Sequence, residues 1–126
     1  MKVYFWVGVA GFLGAALRYA VGVALFNEAQ LFPFATLLVN LSGSFLLAWF
    51  TTSFTKKIRI PSHFQTAIAT GFLGSFTTFS AVSVETVQLI HHGSIGLAVL
   101  YIVVSLFGGL WMSQLGYRQS QKEFGS

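Results

Sequence analysis

The chain has 126 residues, of which 55% are hydrophobic and only 8% charged, far below the roughly 25% charge typical of a soluble domain. So little charge points to lipid as the main solvent, and the absence of cysteine excludes a disulfide framework or a thiolate metal site. Three acids (Glu28, Glu85, Glu123) and three histidines (His63, His91, His92) leave little material for an enzyme, and no nucleophile–base pair or metal cluster is present.

A transmembrane helix needs about 20 mostly apolar residues, and four stretches qualify. The first runs from about Val3 to Phe26 and is interrupted by Arg18. Lys2 ahead of it gives it the look of a secretory signal. The apolar run is too long for one, however, and lacks a small-residue cleavage motif, so a retained helix is expected. Gly8, Gly11, Gly14 and Ala15 provide a close-packing face. A charge within a span costs at least about 2.5 kcal/mol unless paired or hydrated. Arg18 therefore has three readings: it snorkels to the interface, binds an anion, or caps backbone carbonyls.

The second span runs from about Phe34 to Phe54, after the short connection Asn27–Gln30. Thr36, Asn40 and Ser44 recur every fourth residue and form one polar stripe. Interhelical hydrogen bonding explains such a stripe, and so does a line of donors along a polar path.

The third span runs from about Ser62 to Ile90 and is uncharged until Glu85. At its centre lies Gly71-Phe72-Leu73-Gly74-Ser75-Phe76-Thr77-Thr78-Phe79-Ser80. Glycine, serine and threonine at this density make a poor helix. Backbone in lipid can break only where protein, water or an ion satisfies it. A break between Gly74 and Thr78 is expected, exposing carbonyls from one half-helix and N–H groups from the other.

The fourth span runs from about Ser94 to Tyr117, after the connection His91-His92-Gly93. Tyr101, Ser105, Gly109, Ser113 and Tyr117 again fall every fourth residue. Packing and interfacial anchoring account for such a stripe on its own. Two such stripes in one small bundle favour a water-accessible route.

Short connections make sequential helices antiparallel, which puts both termini and the second connection on one side. That side holds Lys2, Lys56, Lys57, Arg59, Arg118 and Lys122, and the other holds no Lys or Arg. Basic connections stay cytoplasmic, so both termini are expected inside. The net charge of +4 is thus a topology signal and not a sign of a nucleic-acid partner. The whole chain, 1–126, reads as a single four-helix unit.

Three runs carry a family resemblance: Gly11-Phe12-Leu13-Gly14-Ala15-Ala16-Leu17-Arg18-Tyr19, Thr36-Leu37-Leu38-Val39-Asn40-Leu41-Ser42-Gly43-Ser44-Phe45, and the third-span run Gly71–Ser80. Together they resemble the signatures of the Fluc (CrcB) family of small fluoride channels. The resemblance covers nearly the whole chain. It implies an all-α membrane protein of four helices with the third broken at mid-membrane, assembled as an antiparallel dimer with two pores. It further implies passive fluoride export across a prokaryotic plasma membrane. Carried over residue by residue, the carbonyls of Gly74 and Thr77 would hold a structural, non-transported sodium ion. Asn40 and Phe79 would line a pore, and Tyr101, Ser105 and Gly109 would form a polar track. An aromatic ring edge is the positive part of its quadrupole and can face an anion without trapping it.

Two departures qualify that picture. Family members carry a second phenylalanine where this chain has Val82, which offers no ring edge. The track has glycine at 109, where some members have a hydroxyl, with Ser113 nearby. The strong charge bias also opposes insertion in both orientations. The expected partner is therefore an oppositely oriented homologous subunit, and Val82 is expected to mark the weaker pore. Two other classes compete: a proton-coupled four-helix drug exporter, which would need an intramembrane carboxylate although the first span carries Arg18 and no acid and Glu85 lies past the expected break near the end of the third span, and a non-conducting partner subunit.

Overall fold

A computed structural model describes residues 2–25, 32–54 and 60–124, with the side chains of Phe54 and Phe124 excepted. The predicted connection Asn27–Gln30 with Glu28, the predicted first-span end at Phe26, and the basic residues Lys56, Lys57 and Arg59 lie outside the described residues.

Helix α1 spans Lys2–Ala24 and α2 spans Phe34–Phe54. Helix α3, Ser62–Thr66, continues into a π-helical stretch, Ala67–Leu73, and a last turn, α4, Gly74–Phe76. After an interruption, α5 covers Ser80–His91 and α6 covers Ile95–Phe124. Four helical regions are long and apolar enough to cross a membrane: Lys2–Ala24, Phe34–Ser53, Ser62–His91 and Ile95–Glu123. The protein is a multi-pass membrane protein, and among the described residues it contains no strand.

Two helix pairings organise the bundle. Helix α1 packs on the π-helical stretch and α4, while α2 packs along α6. The first pairing depends on small residues. A methyl group on Gly71 would stand 2.7 Å from the Val7 carbonyl oxygen, and one on Gly14 would run into the Phe72 backbone. Side chains at either position would force the two backbones apart. In the second pairing, Gly116 of α6 lies directly against the Phe45 carbonyl of α2.

A small apolar core of Leu89, Ala98 and Tyr101 joins α5 to α6, flanked by Phe32, Leu37, Val82 and Leu97. Most other large apolar side chains, including Phe12, Tyr19 and Trp111, are exposed on the single chain. In a bilayer, those faces meet lipid or a partner.

Helix α6 runs seven residues past the predicted end at Tyr117. The extension is polar and so escapes an apolar-span criterion, but two contacts hold it to α2. Ser53 and Ser120, both fully buried, share a 2.8 Å hydroxyl hydrogen bond. The Trp49 indole N–H donates to Glu123 at 3.3 Å.

Candidate functional site

The third span breaks near its middle. Gly74 keeps helical dihedrals (φ −64°, ψ −32°), whereas Thr77 is extended (φ −82°, ψ 158°). The interruption therefore covers residues 77–79, meeting the expected Gly74–Thr78 window at Thr77 and Thr78 and running one residue past it, and the helix runs through Gly74. Glycine weakens a helix without forbidding it. What fixes the break is the contacts that receive its loose backbone groups.

A helix end leaves its last carbonyls without intrahelical donors, and here only some of them find another donor. Leu73 O accepts the Thr77 N–H at 3.1 Å and the Thr77 hydroxyl at 2.9 Å. Ser75 O accepts the Arg18 Nε–H at 3.0 Å. Beyond the break, Asn40 brackets Thr78: its Nδ2 donates to Thr78 O at 2.9 Å, and its Oδ1 accepts the Thr78 N–H at 2.8 Å. The Thr78 hydroxyl then caps α5 by accepting the Ala81 N–H at 3.2 Å. Among the described residues, the carbonyls of Gly74, Phe76 and Thr77 receive no hydrogen bond. Phe76 is buried, whereas Gly74 is exposed and Thr77 half-buried. The two carbonyls named for sodium by resemblance are thus two of the three left without donors. A hard cation prefers such oxygens, so the residues present fit the ion.

Of the three readings of Arg18, its observed hydrogen bond matches the carbonyl cap. The residue also borders a cavity of about 600 Å³ together with Tyr19, Thr36 and Thr78.

A second cavity of about 600 Å³ lies between α2, α5 and α6. It brings together Asn40, Phe79, Val82 and Ser105, and adds Ser44, Ser83 and Thr86. Among the described residues, no charged side chain lines it. Phe79 is 84% exposed, so its ring is free at the edge of this space. Val82 faces the cavity and also packs on the Leu89–Tyr101 core. Ser105 Oγ is buried and has no hydrogen-bond partner.

Two residues of the expected polar track stand elsewhere. Gly109 abuts Ser44, and Tyr101 is wholly buried outside the cavity lining. The Tyr101 hydroxyl donates to Glu85 Oε1 at 2.8 Å, and the Thr36 hydroxyl donates to Glu85 Oε2 at 2.9 Å. This three-residue network ties α2, α5 and α6 together. Sequence reasoning missed it, although an acid within a span is itself a signal. The partners lie 49 and 16 residues away, and no local pattern links them. Ser44 had been seen only as a member of a stripe. Among the described residues, no cluster of three or more His, Cys, Asp or Glu side chains could hold a metal.

Comparison with known proteins gives a consistent picture. The model of the family described as "CrcB-like protein, Camphor Resistance (CrcB)" matches residues 5–117. A protein of Desulfitobacterium hafniense named fluoride-specific ion channel FluC 1 is 54% identical over 109 residues, 86% of this chain and 95% of that protein. A Bacillus anthracis protein of the same name is 54% identical over 116 residues, 91% of this chain and 85% of its own. Fluoride-specific ion channel FluC 2 of Geobacillus kaustophilus is 49% identical over 122 residues, 96% of this chain and 95% of its own. A family match over nearly the whole sequence, with about half of all aligned positions identical, shows that the chain belongs to the CrcB family.

Proposed function

We propose that the chain is a subunit of a fluoride-selective channel through which fluoride leaves the cell passively. The observation that carries this reading is the cavity between α2, α5 and α6. Its lining offers an amide, several hydroxyls and an exposed ring but no fixed charge. Fluoride is strongly hydrated, and conduction needs partners that replace water without holding the ion. Neutral donors and a ring edge meet that need. Relatives sharing about half their positions are named as fluoride-specific channels. Glu85, the carboxylate that proton-coupled export would require, is held by Thr36 and Tyr101 outside this cavity.

Sodium, supplied from the aqueous phase, would neutralise the donor-less carbonyls of Gly74 and Thr77 and rigidify the break. Gly74, Phe79 and Ser80 are exposed on the single chain, and a partner subunit lying across the break would cover them. An oppositely oriented homologue suits this role, because the Lys/Arg split puts both termini of this chain in the cytoplasm. Matches to relatives named FluC 1 and FluC 2 support more than one such chain in a cell.

The test is fluoride efflux from liposomes holding the purified chain alone or with its homologue. Fast fluoride efflux with negligible chloride efflux is expected from the pair, and little from the chain alone. Equal flux of both halides, or none from either preparation, would overturn the reading.

A further inference from the structure

Serine in a helix commonly turns its hydroxyl back onto the carbonyl one turn earlier. Ser42 does so, donating to Leu38 O at 2.8 Å, and Thr51 likewise donates to Leu47 O at 2.7 Å. Two serines facing the cavity between α2, α5 and α6 do not. Ser105 Oγ is buried without a partner, and Ser44 Oγ makes no hydrogen bond among the described residues. Their neighbours in the lining include Leu47, Ile102 and Leu106. A buried polar atom left unpaired, as Ser105 Oγ is, calls for a ligand or a water, and the unbonded Ser44 hydroxyl lines the same cavity.

The position of Ser44 is specific. Gly109 lies one turn beyond Ser105 on the same face of α6, and a methyl group on Gly109 would stand 3.7 Å from Ser44 Oγ. The Ser44 hydroxyl therefore lies in contact with the point on α6 where a side chain at 109 would begin. Ser113, the other hydroxyl near that gap in sequence, does not line the cavity.

We infer that Ser44 and Ser105 form a two-hydroxyl binding site for a small anion, with α2 supplying through Ser44 the donor that α6 lacks at Gly109. This rests on the fluoride-channel reading and adds to it a ligand from a second helix. Both hydroxyls can donate, and among the described residues no cationic side chain or carboxylate lines the cavity, so the site favours a compact, strong hydrogen-bond acceptor. Fluoride accepts hydrogen bonds more strongly than the larger halides, so it gains most from O–H donors in an apolar setting. A site of neutral donors also releases its ion readily.

The test measures initial fluoride efflux in liposomes, using the assembly in which the wild-type chain conducts. Ser44→Ala removes one donor and should lower flux at limiting fluoride about tenfold, while raising the half-saturating fluoride concentration. Ser44→Thr keeps the hydroxyl and should conduct. The double change Ser44→Ala with Gly109→Ser moves the hydroxyl onto α6, where 3.7 Å leaves room for the new Cβ, and should recover most of the flux. Ser42→Ala removes a hydroxyl already bonded within α2 and should conduct as wild type. Wild-type flux from Ser44→Ala would overturn the inference. So would a loss that neither Ser44→Thr nor the double change recovers. A wild-type assembly that passes no fluoride would instead remove the channel reading, and this inference with it.

Discussion

Arg18 puts a full positive charge inside a membrane span, and its Nε–H meets the Ser75 carbonyl, which no backbone donor reaches. Asn40 does the corresponding work beyond the break, and it is suited to it because a carboxamide both donates and accepts. Asn40→Ala would strand both polar groups of Thr78, at about 1–3 kcal/mol each. Its melting temperature in detergent should fall well below that of wild type, and the Thr78 amide should lose hydrogen-exchange protection. Asn40→Asp keeps an acceptor for the Thr78 N–H but no donor for its carbonyl, so an intermediate loss is expected. Equal melting of the alanine variant and wild type would show that the break needs no bracket. The same accounting limits what the sequence could reveal. It flagged Arg18 and Asn40 as out of place in lipid, but their acceptors lie 57 and 38 residues away. Only the assembled bundle selects among snorkelling, anion binding and capping.

The four spans were legible as elements because length and apolarity alone decide whether a helix can cross a bilayer. The break was legible from its glycine, serine and threonine density to within a few residues, but which peptides leave the helix was not. Propensity shows where a helix is cheap to interrupt, whereas the contacts from α1 and α2 choose which peptides leave it. The π-helical stretch Ala67–Leu73 left no sequence signal of its own. It brings Gly71 and Phe72 against α1, which makes the α1 pairing a second testable element. Gly71→Val would push side-chain carbons into the Val7 carbonyl and separate α1, with Arg18 on it, from the break. A loss of about 1–3 kcal/mol is expected from overpacking, together with reduced fluoride flux. Gly96→Ala, with nothing within 4 Å of the added methyl, should be neutral or slightly stabilising through helix propensity. If both changes melt alike, the close α1 contact is not needed for stability.

On the scale of the whole molecule, the distribution of charge and the residue at 82 bear on the same question of assembly. The sequence expectation of six basic residues on one side and none on the other predicts little freedom of insertion, since Lys/Arg placement sets orientation. With cysteines introduced at Lys2 and Ser126, an impermeant external thiol reagent should leave intact cells unlabelled, and label should appear only after lysis. Labelling of a substantial fraction before lysis would mean dual insertion, and the case for an oppositely oriented homologue would fall. Were the proposed channel an antiparallel dimer, a single orientation would require that second chain, and its two pores would not need to be equal. In the proposed channel, Val82 would put an alkyl wall where a ring edge would help strip water from fluoride, and its packing on the Leu89–Tyr101 core gives it a structural role besides. Phe79, 84% exposed at the cavity edge, keeps its ring available. In the assembled pair, Phe79→Ile should therefore cut fluoride efflux at least about tenfold, the loss of one moderate anion contact. Val82→Phe should leave efflux unchanged or raise it, unless the larger ring disturbs the core, which a parallel melting curve would show. If Phe79→Ile conducts normally and changes at Val82 abolish flux in protein that melts like wild type, the roles of the two positions are reversed.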